Sequence, residues 1–326
     1  MTETDTPQES LKRLLDAIGQ VVVGQRALVE GLLIAVLSGG HALVEGVPGL
    51  AKTTAIRTLA QVLGLGFGRI QFTPDLLPGD LLGTPVYLPE SGGFVVRRGP
   101  IFAPVLLADE VNRAPAKVQS ALLEAMEEHQ VSIGDETFPL PEPFFVMATQ
   151  NPVELEGTYP LPEAQIDRFL LKLVVPYPDE EEERTIVERD ALTVSEVPAV
   201  ADAATLLALR TAALEVHVAD AVRDYAVRLV RATRDLGSVE ARIAGTDLEA
   251  NDCVALGASP RASMYLVRAA RARALLDGRR FATPHDVKRV APDVLRHRIV
   301  VTYEAEADGL TSAAVVEAVL AAVETA

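Results

Sequence analysis

Cysteine is almost absent from this sequence of 326 residues, which contains one cysteine and no tryptophan. A single cysteine cannot form a disulfide within the chain, and it cannot supply the thiolate cluster that structural zinc requires. Disulfide scaffolds and cysteine-rich metal modules are therefore excluded. We interpret the one cysteine, Cys253, as an inert residue of a core or of a lid.

The sequence also lacks a long apolar run and a leader-like start. Its longest apolar run, residues 28–40, contains Glu30 and is too short to cross a bilayer. The first ten residues, MTETDTPQES, are polar and acidic, whereas a secretory signal is basic and then apolar. We therefore expect a cytoplasmic protein that does not insert into a membrane.

Acidic residues outnumber basic ones. The sequence contains 46 aspartates and glutamates and 30 lysines and arginines, which gives a formal net charge of −16. Such a surface repels nucleic-acid backbones and acidic membranes. Nucleic acid is therefore disfavoured as the main partner. Lysines and arginines do cluster between Arg261 and Arg289; they can form a basic face, but we favour a solvated helical face paired with carboxylates.

Short apolar segments in the first half have the pattern of buried parallel strands. Each is followed by a polar or glycine-containing turn, and helical patterns lie between them. The segments are residues 41–45, 104–108, 144–148 and 170–175. Continuous apolar strands that alternate with helices predict an α/β domain, in which helices cover both faces of a parallel sheet.

Two β-prone stretches interrupt this alternation, at about 85–100 and about 130–141, and both are predicted to be hairpins. After an acidic linker near residues 176–184, the pattern changes to helices without strands. The predicted parts are a disordered N-terminus at 1–7, an α/β domain at 8–178 and an all-α domain at 179–326.

Residues 46–53 read GVPGLAKT, which is close to the spacing of a phosphate-binding loop between a strand and a helix. The glycines of such a loop let backbone N–H groups face phosphates, while Lys52 would bridge the phosphates and Thr53 would bind Mg²⁺. Ala51 replaces the usual glycine, at a cost of about 1 kcal/mol or more only if its φ is positive. The alternative, an ordinary turn with a surface lysine, is disfavoured by the flanking strand and helix.

The apolar strand at residues 104–108 ends in two carboxylates, Asp109 and Glu110, at the sheet edge where α/β proteins bind ligands. Asp109 can hold the hydration shell of Mg²⁺, and Glu110 can act as general base toward an attacking water. An isolated pair of acids would be interpreted as a solvated strand end. The phosphate loop upstream favours the catalytic interpretation.

Three further polar residues fit the same chemistry. Asn151 can hydrogen-bond a γ-phosphate and the attacking water, although Asn-Pro by itself is a turn signal. Arg168 can stabilise charge on a transferring phosphoryl group, and a salt bridge to an acid such as Asp167 is the alternative. Arg261 follows a Ser-Pro helix start, where its cation opposes the helix dipole and invites an external anion.

In chain order, these motifs are GVPGLAKT, LLADEVNRAP, ATQNP, LPEAQIDRF and GASPRA. Together they resemble the AAA+ ATPases, in particular the MoxR family, which belongs to the branch with an insert in helix 2 that includes the magnesium-chelatase motor subunit. The resemblance covers nearly the whole chain and implies a P-loop ATPase domain followed by an α-helical lid. Alanine before the loop lysine is usual in that family, so Ala51 follows the family's own pattern.

The resemblance assigns roles to matching positions. The implied ATP/ADP site comprises Val23, Gly24, Gly46, Val47, Pro48, Gly49, Leu50, Ala51, Lys52, Thr53, Thr54 and Asp109, with Mg²⁺ held by Thr53 and, through water, by Asp109. The implied catalytic set comprises Lys52, Glu110, Asn151 as sensor 1, Arg168 as arginine finger and Arg261 as sensor 2. Arg113 is a rival for the finger, and Thr73, at the expected end of the second strand, would orient Glu110.

An arginine finger acts on the nucleotide of a neighbouring subunit, so the resemblance implies a homo-oligomeric ring, typically a hexamer. The hairpins become the helix-2 insert, around Ser91 to Gly93, and the hairpin before sensor 1, around Gly134 and Asp135. Members of the family are chaperone-like remodellers of protein clients, often von Willebrand factor A domain proteins. The hairpins would transmit the nucleotide state to such a client.

Three functions remain to be compared: Mg²⁺-dependent ATP hydrolysis that remodels protein partners, a nucleotide-gated scaffold with little hydrolysis, and a nucleic-acid motor. The presence of both Asp109 and Glu110 favours hydrolysis, because a scaffold needs no activated water. The net charge, and the lack of interleaved aromatic and basic residues in the hairpins, disfavour the motor. We therefore predict an ATPase.

Overall fold

The structure is a computed structural model that describes residues 6–90, 92–152, 157–190, 197–239, 243, 246 and 248–325. The chain divides into two compact units. The first comprises Met1–Arg168 with Leu173–Leu209, and the second comprises Phe169–Lys172 with Arg210–Ala326. None of the described helices is both long enough and apolar enough to cross a membrane.

Most of the described strands and seven of the thirteen described α-helices lie wholly in the first unit. Its helices are α1 (Pro7–Gly19), α2 (Arg26–Leu37), α3 (Lys52–Val62), α4 (Pro78–Leu82), α5 (Ala116–Glu128), α6 (Glu163–Ile166) and α7 (Glu180–Asp190). Its strands are β1 (Ala42–Glu45), β2 (Phe67–Gln71), β3 (Gly83–Leu88), β4 (Gly93–Arg98), β5 (Val105–Asp109), β6 (Gln130–Ile133), β7 (Glu136–Pro139), β8 (Phe145–Gln150) and β9 (Leu171–Val174). The division between the units falls within β9, whose first two residues belong to the second unit, and within α8 (Ala203–Glu215).

Five strands form the central sheet, in the order β2-β5-β8-β1-β9. The pairs β1 with β8, β5 with β8 and β2 with β5 are all parallel. Strands β1, β5 and β8 are buried along their whole length except at the last residue, which is Glu45, Asp109 or Gln150. Burial on both faces explains their continuous apolar sequences and confirms the predicted α/β class. It also brings their first polar residues together at one edge of the sheet.

Two antiparallel hairpins lie outside the central sheet. In one, β3 pairs with β4 from Gly83 opposite Arg98 to Leu88 opposite Gly93, and Ser91 lies outside the described residues. In the other, β6 pairs with β7. The first hairpin exposes apolar side chains: Tyr87 and Phe94 face each other with ring centroids 5.3 Å apart and are 52% and 72% exposed.

The second unit is mainly helical, and its described residues include two short strand pairs. Its elements after α8 are β10 (His217–Val218), α9 (Asp220–Ala232), β11 (Val254–Leu256), α10 (Pro260–Leu276), β12 (Phe281–Ala282), α11 (Pro284–Leu295), β13 (Val300–Val301), α12 (Tyr303–Ala307) and α13 (Ser312–Ala322). The strand pairs are β10 with β12 and β11 with β13. Alanines and leucines of α10 form much of its core, which also contains the fully buried Tyr225 of α9. Cys253 is buried in this unit.

The predicted boundaries differ from the observed ones at two places. Of the predicted disordered segment 1–7, residues 1–5 lie outside the described residues, whereas Thr6 caps α1 through a reciprocal contact with Glu9 and Pro7 starts the helix. The predicted division at 178/179 does not coincide with the division into compact units. The N–H groups of Val200 and Ala201 both donate to the carbonyl oxygen of Val62, which ties that segment to the first unit.

Candidate functional site

A cavity of about 400 Å³ opens at the sheet edge where the parallel strands end. Its lining residues are Pro48, Gly49, Leu50, Ala51, Lys52, Thr53, Thr54, Arg69, Gln71, Asp109, Glu110 and Asn151. They come from the loop after β1 and the first turn of α3, from β2, from the end of β5 and the residue after it, and from the residue after β8. Because parallel strands present their carboxyl ends at one edge, segments distant in sequence converge there.

Six described residues that were predicted for the site do not line this cavity: Val23, Gly24, Gly46, Val47, Arg168 and Arg261. Gly46 lies at the base of the loop, where a side chain would come within 3.1 Å of Val175. Gly24 lies between α1 and α2 with a φ of 73°, and a side chain there would collide with Glu182. Arg261 is in the first turn of α10, in the second unit. The roles of these residues stay predictions.

The phosphate loop ends in a left-handed alanine. Gly49 has a φ of 88°, and Ala51, the residue before α3, has a φ of 55° and a ψ of 16°. Alanine has no side-chain oxygen that could cap the helix, so the first N–H groups of α3 are left for an external anion. The sequence does not determine the sign of φ at Ala51. In the structure φ is positive, which is the strained conformation for alanine.

Lys52, the first residue of α3, folds back over the loop. Its Nζ donates to the carbonyl oxygen of Gly46. Burial lowers the pKa of Lys52 below its usual value. Three nearby carboxylates oppose this shift: Asp109, Glu110 and Glu45. A partly desolvated ammonium group beside a helix N-terminus is well suited to hold phosphate oxygens.

Asp109 and Glu110 are linked through Thr149, a buried residue of β8. The hydroxyl of Thr149 donates to Asp109 Oδ1 at 2.6 Å and accepts from the N–H of Glu110 at 2.9 Å. Glu110 has a φ of 55°, which turns the chain sharply out of β5. The two carboxylates therefore leave the strand in different directions, with their relative orientation held by one hydroxyl group.

Each carboxylate also contacts a side chain that the motifs did not identify. Arg69 Nη2 lies 2.7 Å from Asp109 Oδ2, and Gln71 Nε2 donates to Glu110 Oε2 at 2.8 Å. Arg113 Nη1 donates to the same oxygen of Glu110 at 3.0 Å. Arg69 and Gln71 are two residues apart on β2 and so share one face of that strand. This spacing of two residues is the only feature of the sequence that indicates a shared role for Arg69 and Gln71.

Thr73 was expected to orient Glu110, but Gln71 makes that contact. Strand β2 ends at Gln71, two residues earlier than expected, so Thr73 lies beyond the sheet. Its side chain hydrogen-bonds Asp75 and lowers the pKa of that carboxyl group. The strand ends before Thr73, and sequence patterns locate such element ends poorly.

Asn151 and Arg168 have different surroundings. Asn151 directly follows β8, is 7% exposed and lines the cavity. Arg168 lies after α6, and its Nε is 2.7 Å from Glu127 Oε2 of α5. The sequence left a salt bridge to Asp167 or a neighbouring acid open as the alternative, and in the structure Arg168 forms such a bridge with Glu127.

The donor set fits a nucleotide with Mg²⁺. The hydroxyl of Thr53 and the carboxylate of Asp109 line the same cavity, and oxygen ligands of this kind are those that Mg²⁺ prefers. Such sites bind Mg²⁺ through one or two protein ligands together with substrate phosphates. The loop, the ammonium group and these two oxygens therefore suit a nucleoside triphosphate and its metal.

Comparisons with known proteins agree with this site. A family model described as "ATPase family associated with various cellular activities (AAA)" matches residues 41–171, and an "AAA lid domain" model matches residues 247–319. The chain is 51% identical over 314 residues to Chaperone MoxR1 of Mycobacterium tuberculosis, covering 95% of this chain and 81% of that protein. It is 34% identical over 305 residues to Protein MoxR of Methylorubrum extorquens, covering 90% and 88%.

A solved structure is similar over both units. The crystal structure of a proposed ATPase from Cytophaga hutchinsonii matches with a TM-score of 0.90 at 46% sequence identity. The match covers 98% of this chain and 96% of that one. Sequence and structure comparisons thus extend over nearly the entire chain.

Proposed function

The chain belongs to the MoxR family of AAA+ ATPases, and from this premise we propose that it couples Mg²⁺-dependent ATP hydrolysis to the remodelling or activation of protein partners. The reaction converts ATP and water to ADP and phosphate. The observation that carries the proposal is the cavity in which a phosphate loop, a lysine and two carboxylates meet at one sheet edge.

Phosphate binding is assigned to the loop and to the start of α3. Backbone N–H groups of residues 48–53 would face the phosphates, and Lys52 would exchange its contact with Gly46 for phosphate oxygens. Thr53 and Asp109 would hold Mg²⁺, which when bound neutralises charge on the phosphates. Val23 and Gly24 are proposed to hold the adenine.

Water activation is assigned to Glu110, and Asn151 would hydrogen-bond the γ-phosphate. A general base must be oriented within hydrogen-bond reach of the water that it deprotonates. In the structure, Oε2 of Glu110 accepts from both Gln71 and Arg113. We propose that basal turnover is slow until these contacts loosen. A chain that stayed in this arrangement would behave as the alternative function, a nucleotide-gated scaffold with little hydrolysis.

The arginine finger is assigned to Arg168 in preference to Arg113. Arg113 already contacts Glu110 of its own chain, so its guanidinium group is engaged in cis. Arg168 instead pairs with Glu127, which does not line the cavity. A finger acting on a neighbouring nucleotide requires a ring, and we propose a homo-oligomer, a hexamer by family analogy, with Arg261 as sensor 2.

Protein clients are proposed as partners, for example von Willebrand factor A domain proteins. The support is the exposed apolar surface of the β3–β4 hairpin, because contiguous exposed apolar side chains mark interaction sites. The net charge of −16 argues against nucleic acid. We propose a cytoplasmic location for this activity.

The proposal is tested by Glu110→Gln, which keeps the shape of the side chain but removes the base. We expect binding of a fluorescent ATP analogue to change by less than about threefold, and steady-state phosphate release to fall by about 100-fold or more. Glu128→Gln, which neutralises an exposed carboxylate at the end of α5, is the matched control. Unchanged phosphate release in Glu110→Gln would remove Glu110 as the base.

A further inference from the structure

Arg69 is a cation of the cavity to which neither the motifs nor the family roles above assign a function. It lies on β2, and its Nη2 donates to Asp109 Oδ2 at 2.7 Å and to Gln71 Oε1 at 3.1 Å. Asp109 is the carboxylate proposed to hold Mg²⁺. Arg69 therefore places a positive charge directly on the proposed metal ligand.

Arg69 also closes a ring of hydrogen bonds around both carboxylates. Asp109 Oδ1 accepts from Thr149 Oγ1 at 2.6 Å, and Thr149 Oγ1 accepts from the N–H of Glu110 at 2.9 Å. Glu110 Oε2 accepts from Gln71 Nε2 at 2.8 Å, and Gln71 Oε1 accepts from Arg69. The metal carboxylate and the base are thus joined by two routes, one through Thr149 and the other through Arg69 and Gln71.

We propose, resting on the function proposed above, that Arg69 is a positioning residue that holds Asp109 and Glu110 in a closed arrangement and must leave Asp109 before the site is ready for catalysis. Asp109 is expected to hold Mg²⁺ through water, and a guanidinium group against Oδ2 occupies the place of that water and repels the cation, because like charges interact strongly in a partly buried site. The side chain of Arg69 is 47% exposed and that of Asp109 is 15% exposed. The arginine is therefore the partner with room to move.

Departure of Arg69 also affects the base. Gln71 is oriented by Arg69 at its Oε1 and by Glu110 at its Nε2. Without the first contact the amide group is free to rotate, and its hold on Glu110 weakens. Binding of Mg²⁺ at Asp109 is therefore coupled to release of Glu110, the general base. The coupling passes through Arg69 and Gln71 of β2.

Two simpler interpretations make different predictions. An ordinary surface ion pair would contribute little, and its removal would leave the metal requirement unchanged. A direct contact between Arg69 and phosphate would make nucleotide affinity depend on Arg69 even without metal. The coupling proposed here instead predicts that Arg69 opposes binding of Mg²⁺.

The test is a titration of Mg²⁺ into the full chain with a fluorescent, non-hydrolysable ATP analogue, so that binding is measured and not turnover. In Arg69→Gln, the half-saturating Mg²⁺ concentration should fall about fivefold, which is the effect of losing one partly exposed ion pair. Arg69→Lys keeps a cation within reach of Asp109, so its value should lie closer to wild type. Arg57→Gln removes an exposed charge from α3 and is the matched control.

A half-saturating Mg²⁺ concentration in Arg69→Gln that equals or exceeds the wild-type value overturns the proposal. Weaker binding of the analogue in EDTA with an unchanged Mg²⁺ requirement also overturns it, in favour of a phosphate contact. Failure of the wild-type chain to bind the analogue would contradict the nucleotide site itself, which is a separate result. Circular dichroism checks folding, and Arg69→Met, which also removes the cation, provides the test if Arg69→Gln does not fold.

Discussion

Ala51 and Glu110 are the two non-glycine residues of the cavity with a left-handed backbone, and φ is 55° at both. This conformation brings Cβ close to a carbonyl oxygen and costs about 1–2 kcal/mol per residue. Strain of this kind persists where the surrounding structure enforces it, and it concentrates at functional sites. Here it ends the phosphate loop before α3 and turns Glu110 toward Gln71 and Arg113.

Replacement of Ala51 by glycine should relieve this strain. We expect Ala51→Gly to raise the free energy of unfolding by about 0.5–1 kcal/mol, because the relief exceeds the added entropy of the unfolded chain. Urea unfolding followed by circular dichroism measures the change. Ala55→Gly, inside α3, is the control and should lower stability by about 1 kcal/mol or more.

A stability of Ala51→Gly equal to or below wild type would show that the left-handed alanine carries no net strain. The affinity of the same variant for a fluorescent ATP analogue separates two explanations of the alanine. Unchanged affinity indicates tolerated geometry, whereas changed affinity indicates that the alanine tunes the loop.

The segment after α11 carries two consecutive side chains that hold Phe169 within the second unit. His297 Nε2 donates to the carbonyl oxygen of Phe169 at 3.1 Å, and Arg298 Nη2 donates to the same atom. The Nδ1 atom of His297 is buried with no hydrogen-bond partner in the described part of the chain. Burial lowers the pKa of His297 well below its usual range. Three neighbouring cations add to this effect: Arg298, Lys172 and Arg296.

The buried His297 should make the free energy of unfolding depend on pH. The neutral imidazole of the folded chain resists protonation, whereas that of the unfolded chain binds a proton below about pH 6.5. The unfolded state therefore binds more protons in acid, and the free energy of unfolding falls as the pH drops below that value. In His297→Gln, which can still donate to Phe169, urea midpoints should fall less between pH 7 and pH 5.

The matched control is His285→Gln, which changes an exposed histidine on α11. Acid destabilisation that is as steep in His297→Gln as in the wild-type chain would contradict the assignment of this effect to His297.

Strand β2 shows why part of the site was not predictable from local pattern. The strands β1, β5, β8 and β9 were recognised because their residues are continuously apolar. Strand β2 reads FGRIQ, and only Ile70 among its residues is buried. A partly exposed edge strand of mixed composition gives a weak signal, so Arg69 and Gln71 were not connected with the two carboxylates.

At the level of the assembly, catalysis is proposed to require two subunits. We expect Arg168→Ala to lose turnover by about 1000-fold or more while its own nucleotide binding is kept, because an arginine finger stabilises only the transition state. Lys52→Ala should lose nucleotide binding. In random mixtures of the two, about a quarter of the boundaries of a head-to-tail ring join an intact loop to an intact finger. Phosphate release should therefore recover in the mixture.

Arg113→Ala mixed with Lys52→Ala is the matched control, since Arg113 contacts Glu110 of its own chain. Arg113→Ala on its own should keep or gain turnover, because it removes a contact that holds Glu110, and mixing with Lys52→Ala should only dilute its phosphate release. Recovery with Arg113→Ala but not with Arg168→Ala would exchange the two assignments, and recovery in neither would argue against action in trans.

Local sequence pattern was sufficient for the α/β class, the phosphate loop and the positions of Asp109 and Glu110. Apolar strands and glycine-containing turns are properties of neighbouring residues, so they can be read without the fold. The sign of φ at Ala51 and the contacts of Arg69, Gln71 and Thr149 required the folded chain. These contacts join residues 39 or 40 positions apart, and only the parallel sheet, which aligns the ends of β2, β5 and β8, brings them together.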